Sequence, residues 1–193
     1  MKFMRILDIE GFVNEKIKIV PLSDEEFNNM SDDMYNYHPK TKKELQSIID
    51  ERIKKEGNEC NLNDIDTSEI TDMSELFTNS SDFNGNISGW DVSNVTSMSG
   101  MFDNAKSFNG DISGWNVSNV KNMDDMFCNA ENFNGDISGW DVSNVVYMYG
   151  TFCRAKSFNQ DISGWNVSDV KCKTNIFEGC PMKNQPEKQP KFK

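Results

Sequence analysis

The sequence predicts an α/β solenoid: a stack of about five 25-residue coils, each a short strand plus a short helix, with an N-terminal capping helix. Three observations predict it. Trp90, Trp115, Trp140 and Trp165 recur at a fixed step of 25 residues. The apolar positions between them keep the same step. A unit of that length cannot enclose a core alone, so neighbouring units must stack their apolar faces into one column.

The repeat is nearly literal. The strings N-I-S-G-W-D-V-S-N-V, D-I-S-G-W-N-V-S-N-V, D-I-S-G-W-D-V-S-N-V and D-I-S-G-W-N-V-S-D-V begin at Asn86, Asp111, Asp136 and Asp161. Between them run segments that repeat Met98, Met123 and Met148, then Phe102, Phe127 and Phe152, then Ala105, Ala130 and Ala155. A degenerate copy upstream keeps Leu62, Ile65, Ile70, Met73, Leu76 and Phe77, and a terminal copy keeps Ile176 and Phe177 but places Lys173 where the others have methionine.

Within one coil, Val120, Met123, Met126, Phe127 and Ala130 fall at steps of three and four, the spacing of one helical face, with Ser118 or Asn119 able to cap its start. The D-I-S-G-W-N-V half has β-branched and aromatic residues around Gly114, which fits a short bent strand that turns Ile112 and Trp115 inward. Parallel strands about 4.8 Å apart would make a stack of about 25 Å.

The flanks follow. Thr41-Lys42-Lys43-Glu44 reads as a capping box, after which Leu45, Ile48, Ile49, Arg52 and Ile53 line one face until Gly57, so a helix from about 41 to 56 covers the open end of the first coil. The organisation is therefore an N-terminal segment over 1–40, a capping helix over 41–59, a repeat array over 60–180 and a tail over 181–193. Within the first segment Ile17, Ile19 and Val20 suggest a strand, and Ser23 to Met34 a short acidic helix. The tail is basic and proline-bearing and is expected to be flexible.

Composition narrows the function classes. Apolar residues make up 36% before the 12 glycines are counted, which suits a thin core. The 31 acidic residues against 20 basic ones give a net charge of -11. That charge repels nucleic-acid phosphates and anionic membranes, and no stretch is long enough to span a bilayer. Lys2, Arg5, Asp8 and Glu10 interrupt the start, so no signal-peptide core is seen, and a cytoplasmic or virion-associated place is expected. The five cysteines are odd in number and form no C-x-x-C pair, which favours reduced thiols over a disulfide framework or a zinc site.

The string W-D-V-S-N-V-x-x-M-x-x-M-F-x-x-A-x-x-F-N-x-D-I-S-x-W, from Trp90 to Trp115, resembles the repeat of BspA-like leucine-rich repeat surface proteins, also seen in mycoplasma lipoproteins. The likeness covers about residues 60 to 180. The lead-in P-K-T-K-K-E-L from Pro39 and D-I-D-T-S-E-I-T-D-M-S-E-L-F from Asp64 look like the usual opening of such arrays. The resemblance implies a leucine-rich-repeat-like, right-handed solenoid, displayed on cell surfaces and associated with adhesion or protein binding, with no catalytic residues to carry over. The chain departs from the surface members in having no signal, lipidation cysteine or anchor, and similar arrays without signals occur in large DNA viruses and protists.

The candidate sites are few. The tryptophans could form a stacking platform, but Ile65 in the degenerate copy keeps bulk without polarity, which points to burial. Asp111, Asp136 and Asp161, with Asn109, Asn134 and Asn159, could line up calcium ligands. They lack the tight alternate spacing of a calcium loop, and bonding to their own turns explains them better. His38 has no nucleophile motif near it. Cys128 and Cys153 share one register position, but helical coils would hold them about 10 Å apart, beyond disulfide reach. No phosphate loop, nucleophile elbow or metal-spaced histidines occur, so no enzyme activity, cofactor or metal is expected.

One coil breaks the pattern. Val146, Tyr147 and Tyr149 stand where the coil before has Lys121, Asn122 and Asp124, facing away from the Val145, Met148 and Phe152 ladder. With Arg154 one turn on, Tyr147 and Tyr149 have the composition of a binding hot spot for a protein partner. The competing reading is incidental surface aromatics. The expected function is a non-catalytic protein-binding or scaffolding module. The alternative is a structural or assembly component of a larger particle, with self-association through ends or edges.

Overall fold

A computed structural model describes residues 35–192 of the chain. The strand expected around Ile17, Ile19 and Val20 and the helix expected from Ser23 to Met34 lie outside the described residues. The chain divides into Met1–Asn36 and Tyr37–Lys193. The second unit carries the repeats.

Helix α1, Lys42–Glu56, begins on a complete capping box: Thr41 Oγ1 accepts from the Glu44 N–H at 3.2 Å, and the Glu44 carboxylate accepts from the Thr41 N–H at 3.2 Å. Lys54 and Lys55 occupy its last turn, where cations suit the helix dipole, and the N–H of Gly57 closes the end on Ile53 O at 2.8 Å. Leu45 and Ile49 are fully buried. Polar groups fix how α1 sits on residues 61–76. Lys42 Nζ donates to Ser74 Oγ at 2.7 Å and Gln46 Nε2 to Leu76 O at 3.1 Å. Arg52 is buried among acceptors, with Nη1 at 2.9 and 2.8 Å from the two Asp64 oxygens and Nη2 at 2.8 Å from Asn61 O.

The repeats do not form the expected α/β solenoid. Among the described residues α1 is the only α-helix and there is no sheet; pairing between copies is confined to isolated parallel bridges, four of which link Asp72, Ser97, Asn122, Tyr147 and Cys172 in one row. Each copy is instead a chain of tight turns. We call the five copies layers 1 to 5: residues 60–84, 85–109, 110–134, 135–159 and 160–184.

Backbone conformation explains the missing helices. The run expected to be helical in each layer is interrupted twice by a positive φ: at Glu75 and Asn79, Gly100 and Asn104, Asp125 and Asn129, Gly150 and Arg154, and Asn175 and Gly179. A helix cannot pass through such residues. The N–H groups alternate between two partners. Cys128 and Ala130 bond three residues back, to Asp125 O and Phe127 O. Met123, Asp125, Phe127 and Asn129 bond forward to the next layer, at Tyr147 O, Tyr149 O, Thr151 O and Cys153 O, over 2.7 to 2.9 Å. Turns repeated in this way mimic the three- and four-residue spacing of a helical face.

The expected strand half is also built from turns. Asp111 Oδ1 accepts from the Ser113 N–H at 3.0 Å, and Asn116 Oδ1 from the Ser118 N–H at 3.2 Å. Each side chain opens a turn, closed by Trp115 N to Ile112 O and Val120 N to Val117 O. Local side-chain bonding prevails over β propensity here.

The inward residues match the sequence reading. Phe77, Phe102, Phe127, Phe152 and Phe177 stack layer on layer, with the first pair 5.5 Å apart, and Phe83, Phe108, Phe133 and Phe158 form a parallel row. The four tryptophans are buried, and each indole donates to a carbonyl of the layer before: Trp90 to Leu62 O, Trp115 to Ile87 O, Trp140 to Ile112 O and Trp165 to Ile137 O, at 2.9 to 3.2 Å. Burial therefore leaves the indole N–H satisfied.

The segment expected as a flexible tail holds two 3-10 turns, Pro181–Asn184 and Pro186–Lys188. Met182 is fully buried, Lys188 O accepts from the Ile162 N–H at 3.0 Å, and Phe192 packs against the core. A few apolar anchors order a segment whose mean composition is polar.

Candidate functional site

Tyr147 and Tyr149 flank the buried Met148, so both side chains point outward from one edge of layer 4. They are 47% and 40% exposed and are the exposed large hydrophobic residues among the described ones. The backbone beneath them is pinned on both sides. Tyr147 bridges Asn122 below and Cys172 above, and the Tyr149 N–H donates to Asp124 Oδ1 at 2.6 Å. Asn175 of the last layer donates from Nδ2 to the Tyr149 hydroxyl at 3.4 Å. The same two positions hold Asp72 and Ser74, Ser97 and Ser99, Asn122 and Asp124, and Cys172 and Thr174 in the other layers. The edge carries short side chains, polar but for Cys172, everywhere except at layer 4.

Arg154 lies past the buried Thr151 and Phe152, at a φ of 56°. Its N–H donates to Glu178 O at 2.6 Å, while its side chain has no ion pair or ring contact among the described residues. The structure thus brings the two tyrosines together on one edge and sets Arg154 beyond the next turns.

The remaining candidates are structural. Asp111, Asp136 and Asp161 each accept from the serine two residues on, and these bonds hold their carboxyls below the ordinary value of 3.8. Asn84, Asn109 and Asn134 bond across layers instead of within their own turns, each Oδ1 accepting from the backbone N–H 25 residues on at 2.8 to 2.9 Å. No group of three acidic, histidine or cysteine side chains among the described residues is arranged to hold a metal ion. No helix among them is long and apolar enough to cross a membrane. His38 Nδ1 lies 3.3 Å from Asp66 Oδ2.

The two shared-register cysteines are closer than helical coils would put them. Asn129 N bonds Cys153 O at 2.7 Å across the layer boundary, and Cys153 lies beside Cys128. Burial, with Asp103 and Cys153 beside it, pushes the Cys128 thiol up to about 12, so it stays a thiol at neutral pH and is a poor nucleophile. All five cysteines are free.

A family model described as Mycoplasma protein of unknown function, DUF285, matches residues 43–144 and again residues 115–193. The chain belongs to this family. The match begins inside α1 and runs through every layer and both 3-10 turns. It corrects the resemblance read from the repeat string: DUF285 is a different family from the BspA-like leucine-rich repeat proteins, so their solenoid class and surface role do not carry over. No curated protein and no solved structure matches the chain.

Proposed function

We propose that the chain is a non-catalytic protein-binding module whose contact face is the edge bearing Tyr147 and Tyr149. The observation that carries this reading is the exposure of two tyrosines side by side where the other layers carry short side chains. Tyrosine supplies a large, rigid, amphipathic contact at little entropic cost and is enriched at interface centres. The backbone under both rings is fixed by interlayer bonds, so the face is preorganised. Arg154 extends the contact at its rim. With a net charge of -11, nucleic acid is disfavoured as the partner.

The test is comparative capture from the native source by the full chain and by Tyr147→Ser/Tyr149→Ser, with identification of what is retained. Both side chains point to solvent, so the melting temperature should stay within a degree or two of the parent. A partner kept by the parent and lost by the double variant supports the reading. Identical retention by both proteins removes this face.

A further inference from the structure

The forward-pointing N–H groups of the turns give every layer a direction. In layers 1 to 4 they are consumed by the next layer: Glu75, Phe77 and Asn79 bond to Ser99 O, Met101 O and Asp103 O, and Gly150, Phe152 and Arg154 bond to Thr174 O, Ile176 O and Glu178 O. Layer 5 repeats the geometry without a successor. The N–H groups of Asn175, Phe177 and Gly179 donate to no acceptor among the described residues. The positive φ values of Asn175 and Gly179, 60° and 70°, match those of the donors below them. The 3-10 turns cover another side of the layer, where Lys188 meets Asn159 and Ile162. A Cβ built on Gly179 would find only Arg154 among its nearest neighbours.

Two facts narrow what fits this edge. A second copy cannot pair with it: a matching edge would set donors against donors, and the opposite end of the column lies under α1 through Leu45 and Ile49. The occupant must bring carbonyl acceptors on alternate residues, as Ser99, Met101 and Asp103 do for the donors of layer 1. The charge beside the donor row also departs from that of the chain: layer 5 balances Lys171, Lys173 and Lys183 against Asp161, Asp169 and Glu178, and residues 171–192 hold five lysines against Glu178 and Glu187. Lys171 and Lys173 precede the donor row in sequence and both are exposed.

We propose that the open edge of layer 5 binds an acidic segment of another protein, which takes up the turns of a layer and adds to the column as a sixth. Main-chain bonds to Asn175, Phe177 and Gly179 provide the register, and the lysines select carboxylates. This surface adjoins Tyr149, whose hydroxyl accepts from Asn175 Nδ2 at 3.4 Å, and among the described residues Tyr147 makes no such contact with the donor row.

The probe is a fluorescein-labelled peptide with the sequence of residues 70–85, which carries Asp72, Glu75 and Asp82, no basic residue, and the carbonyl spacing that the donors meet within the column. Binding to the full chain is read by fluorescence polarisation, and amide hydrogen exchange is followed by NMR. The expected result is saturable binding, at least tenfold slower exchange at Asn175, Phe177 and Gly179, and at least tenfold weaker binding of the same peptide with Asn and Gln in place of its acids. Lys171→Glu/Lys173→Glu should lose at least tenfold in affinity. Lys171→Glu alone, which spares the contact of Lys173 with the Phe192 ring, should show part of that loss. Tyr147→Ser, which leaves the Tyr149–Asn175 contact in place, should bind the probe as the parent does. No binding at millimolar peptide, binding that leaves the three amides unprotected, equal binding of the neutral peptide, or loss in the tyrosine variant would each overturn the proposal.

Discussion

The carboxylate of Asp125 lies directly against Gly150 in the layer above, where a Cβ would sit 2.1 Å from Oδ1. Glu75 stands in the same relation to Gly100, its Cγ 3.4 Å from the Cβ position. All four residues share one register column and all have positive φ, so side chain and glycine alternate from layer to layer. The space left by each glycine holds the side chain below. Gly150→Ala should therefore cost more than the left-handed penalty of about 1 kcal/mol, because it also displaces a half-buried carboxylate. In an Asp125→Gly background only the left-handed part should remain. Urea unfolding of the two singles and the double variant measures the difference, and equal costs of alanine in both backgrounds would show that the carboxylate swings aside freely.

That column also shows where the sequence was legible. Period, register and the inward set were readable because each rests on repetition: Trp115, Met123, Phe127 and Ala130 recur, and all are buried. The capping box of α1 was readable because it is local. The class of the layers was not. Turns that place Met123, Met126, Phe127 and Ala130 inward reproduce helical spacing; the conformation that forbids the helix falls mostly on asparagine and glycine, a turn signal that the helical spacing outweighs, and on Glu75 and Arg154, which carry no such signal. The bonds that replace the helical ones reach the neighbouring layer, a distance no local propensity reports. Tyr147 and Tyr149 stood out by comparison down a column, whereas the open donors of layer 5 depend on position in the stack.

Trp115 should resist replacement by phenylalanine. Its indole N–H is one of two donors to Ile87 O, at 3.2 Å beside the Trp90 N–H at 3.2 Å, so Trp115→Phe removes a buried hydrogen bond and leaves a void while the carbonyl keeps its backbone partner. A loss of about 1 to 2 kcal/mol is expected, from the void and one lost hydrogen bond, measured as a lowered urea midpoint with an unchanged slope. A loss under about 0.5 kcal/mol would mean that water reaches the site.

Acid should unfold the protein through the aspartates that open its turns. Bonds from Ser113, Ser138, Ser143 and Ser163 hold Asp111, Asp136, Asp141 and Asp161 below their ordinary 3.8. A lowered folded-state value gives stability that is present above pH 3.8 and lost as pH falls through the folded value. Asp125 has the opposite sign. Burial first, then Asp103 and Asp124, raise it, so its contribution is present below 3.8 and fades as pH rises through its folded value. The four lowered aspartates, with Asp66, Asp72 and Glu131 lowered as well, outweigh the one raised carboxylate in direction. Asn116 and Asn166 open equivalent turns without titrating. Asp111→Asn/Asp136→Asn/Asp161→Asn should hence flatten the fall in melting temperature below pH 4 and leave the value at pH 7 little changed. An unaltered acid slope would place the titration elsewhere.

Arg154 is the residue at which stability and binding should part. Asn79, Asn104 and Asn129 occupy its position in layers 1 to 3, and Gly179 in layer 5, all at positive φ. Asparagine and glycine tolerate that conformation, whereas arginine is strained by it. Its side chain gains no ion pair or ring contact among the described residues in return. Arg154→Asn should raise stability by about 0.5 to 1 kcal/mol, seen as a higher urea midpoint. If Arg154 extends the tyrosine face, the same variant should weaken capture of the partner while the fold gains. A variant that is more stable and captures equally well would detach Arg154 from that face without touching Tyr147 or Tyr149, and one that is less stable would show that the guanidinium holds the layer together.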